Sequence, residues 1–208
     1  MKRPLVITDC DEVLLHMVRP FRDWLGREHG IDFALEGNPF IQSMSRPDGS
    51  TLTEAEVWEM LGGFFDTEMG TQTPIEGALE AMAKLQGDAD VVVLTNLNHS
   101  RNEARTRQLA ALGFETKVYT NQGPKGAALA RILAEHEPSR AVFIDDLAVH
   151  HASARQEIGH IHRLHLCGEP SVAPHIPCAY EAGDAHARID RWAEALPWIE
   201  KTLLGEST

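Results

Sequence analysis

Pro4-Leu5-Val6-Ile7-Thr8-Asp9-Cys10-Asp11-Glu12 is the stretch on which the reading of this chain turns. A short, largely β-branched run ending in acids predicts a buried strand whose carboxyl end delivers charge into a crevice. Keeping two carboxylates side by side out of water costs several kcal/mol unless a cation or a proton compensates. Such a placement points to a metal site, to proton-transfer chemistry, or to both. Asp is also common where a strand simply runs into a polar turn. Asp9 and Asp11 therefore take their meaning from what the rest of the chain sets beside them.

Four further runs have strand character. Asp90-Val91-Val92-Val93-Leu94-Thr95 is dense in β-branched residues, and Lys117-Val118-Tyr119-Thr120 is shorter and weaker. Arg140-Ala141-Val142-Phe143-Ile144-Asp145 again ends in acid, while His160 to Leu166 is longer and more polar. Helical patterns separate them. Glu76 to Leu85 carries Ala78, Leu79, Met82 and Leu85 at helical spacing. Arg101 to Leu112 is stopped by Gly113, Lys125 to His136 is stopped by Pro138, and Leu147 to Ile158 closes another helix. Strands alternating with helices predict an α/β fold, a parallel sheet covered on both faces, with ligands bound beyond the carboxyl ends of the strands.

The interval from Leu14 to Gln72 is too long for a simple crossover. It predicts a helix around Pro20 to His29, a polar stretch from Glu36 to Ser50, and a second helix from Thr53 to Phe65. Ser50-x-x-Thr53, followed by Glu54 and Glu56, marks a helix start with acids at the positive end of its dipole. We read residues 15–72 as a small α-helical insertion, and residues 1–14 and 73–208 as the α/β core. Ala185 to Leu204 predicts an amphipathic terminal helix with Ile189, Trp192, Leu196, Ile199 and Leu203, kinked at Pro197.

The bulk properties exclude whole classes of partner. The 208 residues carry a net charge of −12, against the basic footprint that a nucleic-acid polymer or an anionic membrane requires. Cys10, Cys167 and Cys178 are odd in number and widely spread, which fits a reducing cytoplasm rather than a disulfide framework. The apolar run after Lys2-Arg3 is too short for a signal-peptide core, and no stretch could span a bilayer. A small anionic substrate held by a local cation remains compatible. Nothing in the sequence speaks to oligomeric state.

Four strand-end features line up in chain order. Asp9 and Asp11 end the first strand, Thr95-Asn96 the second, Lys125 opens a helix after Gly123-Pro124, and Asp145-Asp146 end the fourth strand. Each alone has an ordinary explanation as a turn, cap or surface residue. Together they fall on one edge of a parallel sheet, and their chemistry is consistent. The acids can hold a hard cation such as magnesium. Thr95 offers a hydroxyl and Asn96 a backbone N–H for phosphate oxygens, and Lys125 a balancing point charge. Asp9 can attack phosphorus as a nucleophile, and Asp11 can serve as acid and then base.

Thr8-Asp9-Cys10-Asp11-Glu12-Val13 resembles the first motif of the haloacid dehalogenase (HAD) superfamily. Val93-Leu94-Thr95-Asn96 is similar to its second motif, Pro124-Lys125-Gly126 to its third, and Phe143-Ile144-Asp145-Asp146 to its fourth. The resemblance implies a Rossmann-like three-layer core with a helical cap between the first and second motifs. It implies a nucleophile at Asp9, an acid/base at Asp11, and phosphate contacts from Thr95 and Lys125. Magnesium would be held by the Asp9 side chain, the Asp11 backbone carbonyl and the fourth-motif acids, with Asp146 as direct ligand and Asp145 in the inner or outer coordination sphere. The implied activity is hydrolysis of a small phosphomonoester through an aspartyl-phosphate. Phe21-x-x-Trp24-Leu25-x-x-Glu28-His29-Gly30 resembles the first cap helix of the 5'(3')-deoxyribonucleotidase branch, which implies a nucleotide or another small phosphomonoester.

Two positions depart from the family pattern. Glu12 stands where many members carry Gly, and His150 where many have Asp or Asn supporting the metal. A phosphomutase would share every motif. A dehalogenase has no need of Asp11, and a phospho-receiver regulator lacks an insertion of this length. A non-catalytic binding module built on this fold stays open as an alternative: Asp9, Asp11, Lys125 and Asp146 argue against it, and Glu12 and His150 argue for it. The histidines His150, His151, His160, His162 and His165 lack the ligand spacing of a zinc site. Alternation turns Cys10 away from the acids beside it.

Overall fold

Strand β1 (Leu5–Thr8) is buried at every residue and has a parallel partner on each side, β4 (Asp90–Asn96) and β6 (Ala141–Asp145). Burial on both faces is why it reads as a continuous apolar run instead of an alternating one. The computed structural model describes residues 2–35 and 40–205. Beyond β4 lies β5 (Lys117–Asn121), and beyond β6 lie β7 (His162–His165) and β8 (Ala187–Arg188). The resulting sheet has the order β5-β4-β1-β6-β7-β8, with every pairing parallel. The chain winds outward from β1 on one side and then restarts on the other. A crevice therefore opens between the carboxyl ends of β1 and β6.

Period-two alternation divides the sheet's side chains between two faces. Val6, Val91, Val93, Val142 and Ile144 pack against helices α3 (Ala78–Asp88) and α7 (Trp192–Leu204). Leu5, Ile7, Val92, Leu94 and Phe143 pack against α5 (Gly126–His136) and α6 (Ala148–Glu157). These are the three layers of a Rossmann-like α/β core. The remaining core helix, α4 (Asn102–Ala111), follows β4 and buries Arg105 and Leu109.

Between β1 and α3 the chain forms α1 (Val18–Trp24), a short strand pair β2 (Asp32–Phe33) and β3 (Met44–Ser45), and α2 (Glu54–Thr67). Pro20 sits in the first turn of α1, where its missing N–H costs nothing, and the helix continues as one π-helical segment over Leu25–His29. Helix α2 starts at a full capping box: Glu56 N–H donates to Thr53 Oγ1 while Glu56 receives the Thr53 N–H. Phe21, Trp24, Phe64 and Phe65 anchor a separate hydrophobic cluster, joined from the core by Leu97, Cys167, Val172 and Ala173. Of the polar stretch expected from Glu36 to Ser50, residues 36–39 lie outside the described residues; the rest contains a 3-10 turn (Phe40–Ser43) and β3.

The C-terminal expectation is corrected. A helix starting at Ala185 is replaced by β8 and a helix that begins only at Trp192. Edge pairing explains the shift. The Ile189 N–H donates to His165 O at 3.0 Å, and Asp190 receives the Cys167 N–H at 3.0 Å. Trp192 Nε1 then donates to Val13 O at 2.8 Å and fixes the start of α7, with Pro197 inside the helix.

Gly126, the first residue of α5, brings that helix against α6. A Cβ there would stand 2.6 Å from Ser153 O and 2.7 Å from Glu157 Cγ. Gly126→Ala should lower the unfolding free energy by about 1–3 kcal/mol, read from urea midpoints. Unchanged stability would show that α5 and α6 are not locked at this contact.

Candidate active site

The four strand-end features converge. Asp9 extends β1, with its N–H donating to Ile144 O at 2.8 Å, so its carboxyl stands beside the end of β6. Lys125, immediately before α5, is fully buried. Its ammonium lies 2.8 Å from Asp9 Oδ2 and 2.7 Å from Asp145 Oδ2. Asp145 Oδ1 receives the Leu147 N–H at 2.9 Å, so both of its oxygens are engaged. Asp146 is also buried, and no protein donor reaches its carboxylate among the described residues. Asp9, Asp145 and Asp146 offer ligand oxygens all within 4.8 Å of one another, the single such group among the described residues. No histidine belongs to it.

Three buried carboxylates share one ammonium, and their acidities separate accordingly. Burial, with Asp145 and Asp11 adding repulsion against the pull of Lys125, pushes Asp9 up to about 7. Burial and the charges of Asp145 and Asp9 raise Asp146 well above the usual carboxylate range. Burial also acts to raise Asp145, but Lys125 and the imidazoles of His150 and His151 outweigh it and hold that carboxyl low. Burial alone would lower the Lys125 ammonium, yet Asp145 and Asp9 keep it above its ordinary value. Cys10, between the key acids, is fully buried, and burial drives its thiol far upward, which excludes a thiolate nucleophile.

Asp11 is held from another direction. Arg105 Nη2 donates to its two oxygens at 2.9 and 3.0 Å, and Gln72 Nε2 donates to Oδ1 at 2.7 Å. Arg105 is fully buried and also reaches Gln72 Oε1 and Gln108 Oε1. Neither Arg105 nor Gln72 stands out in the sequence. The one available signal is that Arg105 shares a helical face with buried Leu109, where a cation needs a partner. Thr95 Oγ1 is buried and without a hydrogen-bond partner among the described residues. The Asn96 side chain is already engaged, donating to Gly123 O at 3.0 Å and accepting from Asn121 Nδ2 at 3.0 Å.

Asp9, Asp11, Thr95, Asn96 and Asp146 all line one cavity of about 1100 Å³, whose other wall comes from α1, α2 and the residues around Phe40. No helix among the described residues is long and apolar enough to cross a membrane.

No protein-family model matches this chain, and no curated protein is close enough in sequence to match. Solved structures do match. A HAD family hydrolase from Deinococcus radiodurans R1, with bound phosphate and sodium, aligns at TM-score 0.67 and 18% identity over 99% of each chain. A predicted phosphoglycolate phosphatase from Haemophilus somnus 129pt aligns at TM-score 0.67 and 15% identity, covering 96% of this chain and 99% of that one. A haloacid dehalogenase-like hydrolase from Streptococcus pneumoniae aligns at TM-score 0.66 and 14% identity, covering 94% and 97%. This chain has the HAD-like fold.

Within that HAD-like frame the two departures acquire structural meaning. Glu12 has φ of 58°, the left-handed region in which glycine is at ease. Its side chain compensates: Oε1 accepts the Met17 N–H at 2.8 Å and the Val18 N–H at 2.5 Å, capping α1, whose own N-cap residue supplies no side-chain bond. Burial pushes the Glu12 carboxyl up to about 7. His150 is buried with Nε2 3.3 Å from Asn96 Nδ2, and burial lowers it to about 4, so it is a neutral imidazole at pH 7. It stands outside the group formed by the three aspartates. Because φ is positive at position 12, Glu12→Gly should be more stable than Glu12→Ala by about 1 kcal/mol. Equal urea midpoints for the two variants would show that the loop relaxes out of the left-handed conformation.

Proposed function

We propose that this protein is a phosphatase that hydrolyses small phosphomonoesters through an aspartyl-phosphate, with Asp9 as the nucleophile. The observation that carries the reading is the group of three buried carboxylates, two of them ion-paired to Lys125, beside a cavity lined by Asp9, Asp146, Asp11 and Thr95. Asp9 oxygen bonds to phosphorus as the ester P–O bond breaks, and the departing alkoxide takes a proton from Asp11. Water then attacks the same phosphorus, gives its proton to Asp11, and frees Asp9 and inorganic phosphate. Arg105 and Gln72 set the orientation of Asp11. The unpartnered Thr95 hydroxyl suits a phosphate oxygen, and Lys125 supplies positive charge beside the nucleophile. The Asn96 side chain is spoken for, which leaves its backbone N–H as the group offered to phosphate. Asp11 is also what favours ester hydrolysis over dehalogenation.

The residues present fit magnesium. Two carboxylates in excess of the single ammonium are buried in an all-oxygen donor set, which suits a hard divalent cation. Asp9, Asp146 and the Asp11 backbone carbonyl would hold the ion, with Asp145 tied to Lys125 beside them. When bound, it would supply charge neutralisation for the phosphate oxygens. In this reading residues 15–72 form a cap over residues 1–14 and 73–208. The substrate is a small phosphorylated metabolite, with nucleoside monophosphates within the class, and neither a nucleic-acid polymer nor a membrane is a partner. The three unpaired cysteines suit a cytoplasmic setting.

Phosphate release from a panel of monoesters should require magnesium, stop with EDTA, and vanish in Asp9→Asn while the circular dichroism spectrum is retained. Near-wild-type turnover by Asp9→Asn would overturn the mechanism. Metal binding should also release protons, because Asp9 must ionise to bind and its carboxyl is pushed up to about 7. The apparent magnesium affinity should thus rise from about pH 6 to about pH 8. Calorimetry in buffers of different ionisation heat measures the protons released. A pH-independent affinity with no proton release would count against Asp9 as a ligand.

A further inference from the structure

We propose that the substrate of this site is the phosphate ester of a bulky, uncharged, apolar alcohol, aromatic in preference to sugar-like. The inference rests on the phosphatase reading above and names the group that the reading leaves open. Asp9 and Asp146 of the carboxylate cluster line the cavity, and much of the rest is a chamber walled by hydrocarbon. Phe40, Trp58 and Phe65 come from the segment between β1 and α3, and Leu97, Val172 and Ile176 from loops beyond the core strands. Phe65, Leu97 and Val172 are buried around the chamber, whereas Trp58 and Leu147 are among the few large hydrophobic side chains the protein exposes. Exposed apolar surface gathered in a concavity, with a few polar groups at one end, is the lining a hydrophobic ligand requires. The Trp58 ring is also oriented, since Nε1 donates to Glu54 Oε1 at 3.2 Å.

Charge argues in the same direction. A substrate with a second anion, such as phosphoglycolate, needs a cation at the far end of its pocket. Arg101 is the single arginine or lysine lining the cavity among the described residues. Its guanidinium is already committed, donating to both Asp66 oxygens at 2.6 and 2.8 Å and to Gly62 O at 3.1 Å. Asp9, Asp11, Glu12 and Asp146 line the same space and would repel a second negative group. The polar remainder, Asn98, Asn121 and Gln122 among it, offers hydrogen bonds suited to an ether or a hydroxyl but no fixed positive charge to offset a carboxylate that has lost its water. In this respect the chain differs in expected substrate from the predicted phosphoglycolate phosphatases that share its fold.

The test compares naphthylmethyl phosphate, a hexose 6-phosphate, phosphoglycolate and a nucleoside 5'-monophosphate, all esters of primary alcohols, so that leaving-group ability is similar. With magnesium present, kcat/KM for the naphthylmethyl ester should exceed the other three by about tenfold or more, the worth of burying one ring system. Trp58→Ala, at an exposed position, should reduce that ratio several-fold. A hexose phosphate, phosphoglycolate or nucleotide as the best substrate would overturn the inference and leave the phosphatase reading standing. If no ester releases phosphate, the phosphatase reading falls, and calorimetry with naphthylmethylphosphonate against phosphonoacetate decides the inference separately. Tighter binding of the aromatic phosphonate by about tenfold supports an apolar chamber; equal or weaker binding overturns it.

Discussion

The buried ammonium of Lys125 joins three elements that are far apart in the chain: the end of β1 through Asp9, the end of β6 through Asp145, and the start of α5 on which it rides. None of these charges could remain out of water alone. The pairing is therefore reciprocal. The sheet brings the acids together because β1 and β6 are neighbours at the point where the winding reverses, and the lysine makes that neighbourhood tolerable. Gly126 contributes from behind by letting α5 sit close against α6.

The compensation is incomplete, and the shortfall gives the site its character. One positive charge serves three carboxylates in the cluster, so Asp9 and Asp146 carry surplus negative potential. That surplus is directed toward an opening instead of into the core. Asp11 is kept out of the competition by its own buried partner, Arg105. Two adjacent acids thus answer to two different cations.

How much of this was legible in the sequence depends on how local each signal is. The β-branched runs ending in Asp9, Thr95 and Asp145 obey short-range rules, as do Gly123-Pro124 before Lys125 and the capping box at Thr53. A fold assembled from them emerges correctly. Arg105 and Gln72 obey no local rule, because their partners come from distant parts of the chain. The two-residue strands β2, β3 and β8 are too short to carry a period. Around β8 the spacing of Ile189, Trp192, Leu196 and Ile199 favoured a helix, but edge pairing with β7 took the first of these residues away. Glu12 stands between the two cases. Its departure from glycine is visible in the sequence, but what it caps is visible only once α1 is folded beside it.

That side chain has a consequence for modularity. A glycine at position 12 would offer no side chain, and the loop after β1 would then meet the start of α1 through backbone alone. Here the carboxyl of Glu12 accepts the Met17 and Val18 N–H groups, and its backbone carbonyl accepts the Gly168 N–H. A replacement for residues 17 and 18 without amides in that position would strand a buried acid beside Asp11. In this protein the loop after β1 and the helix it caps are a matched pair, and redesigning one means redesigning the other.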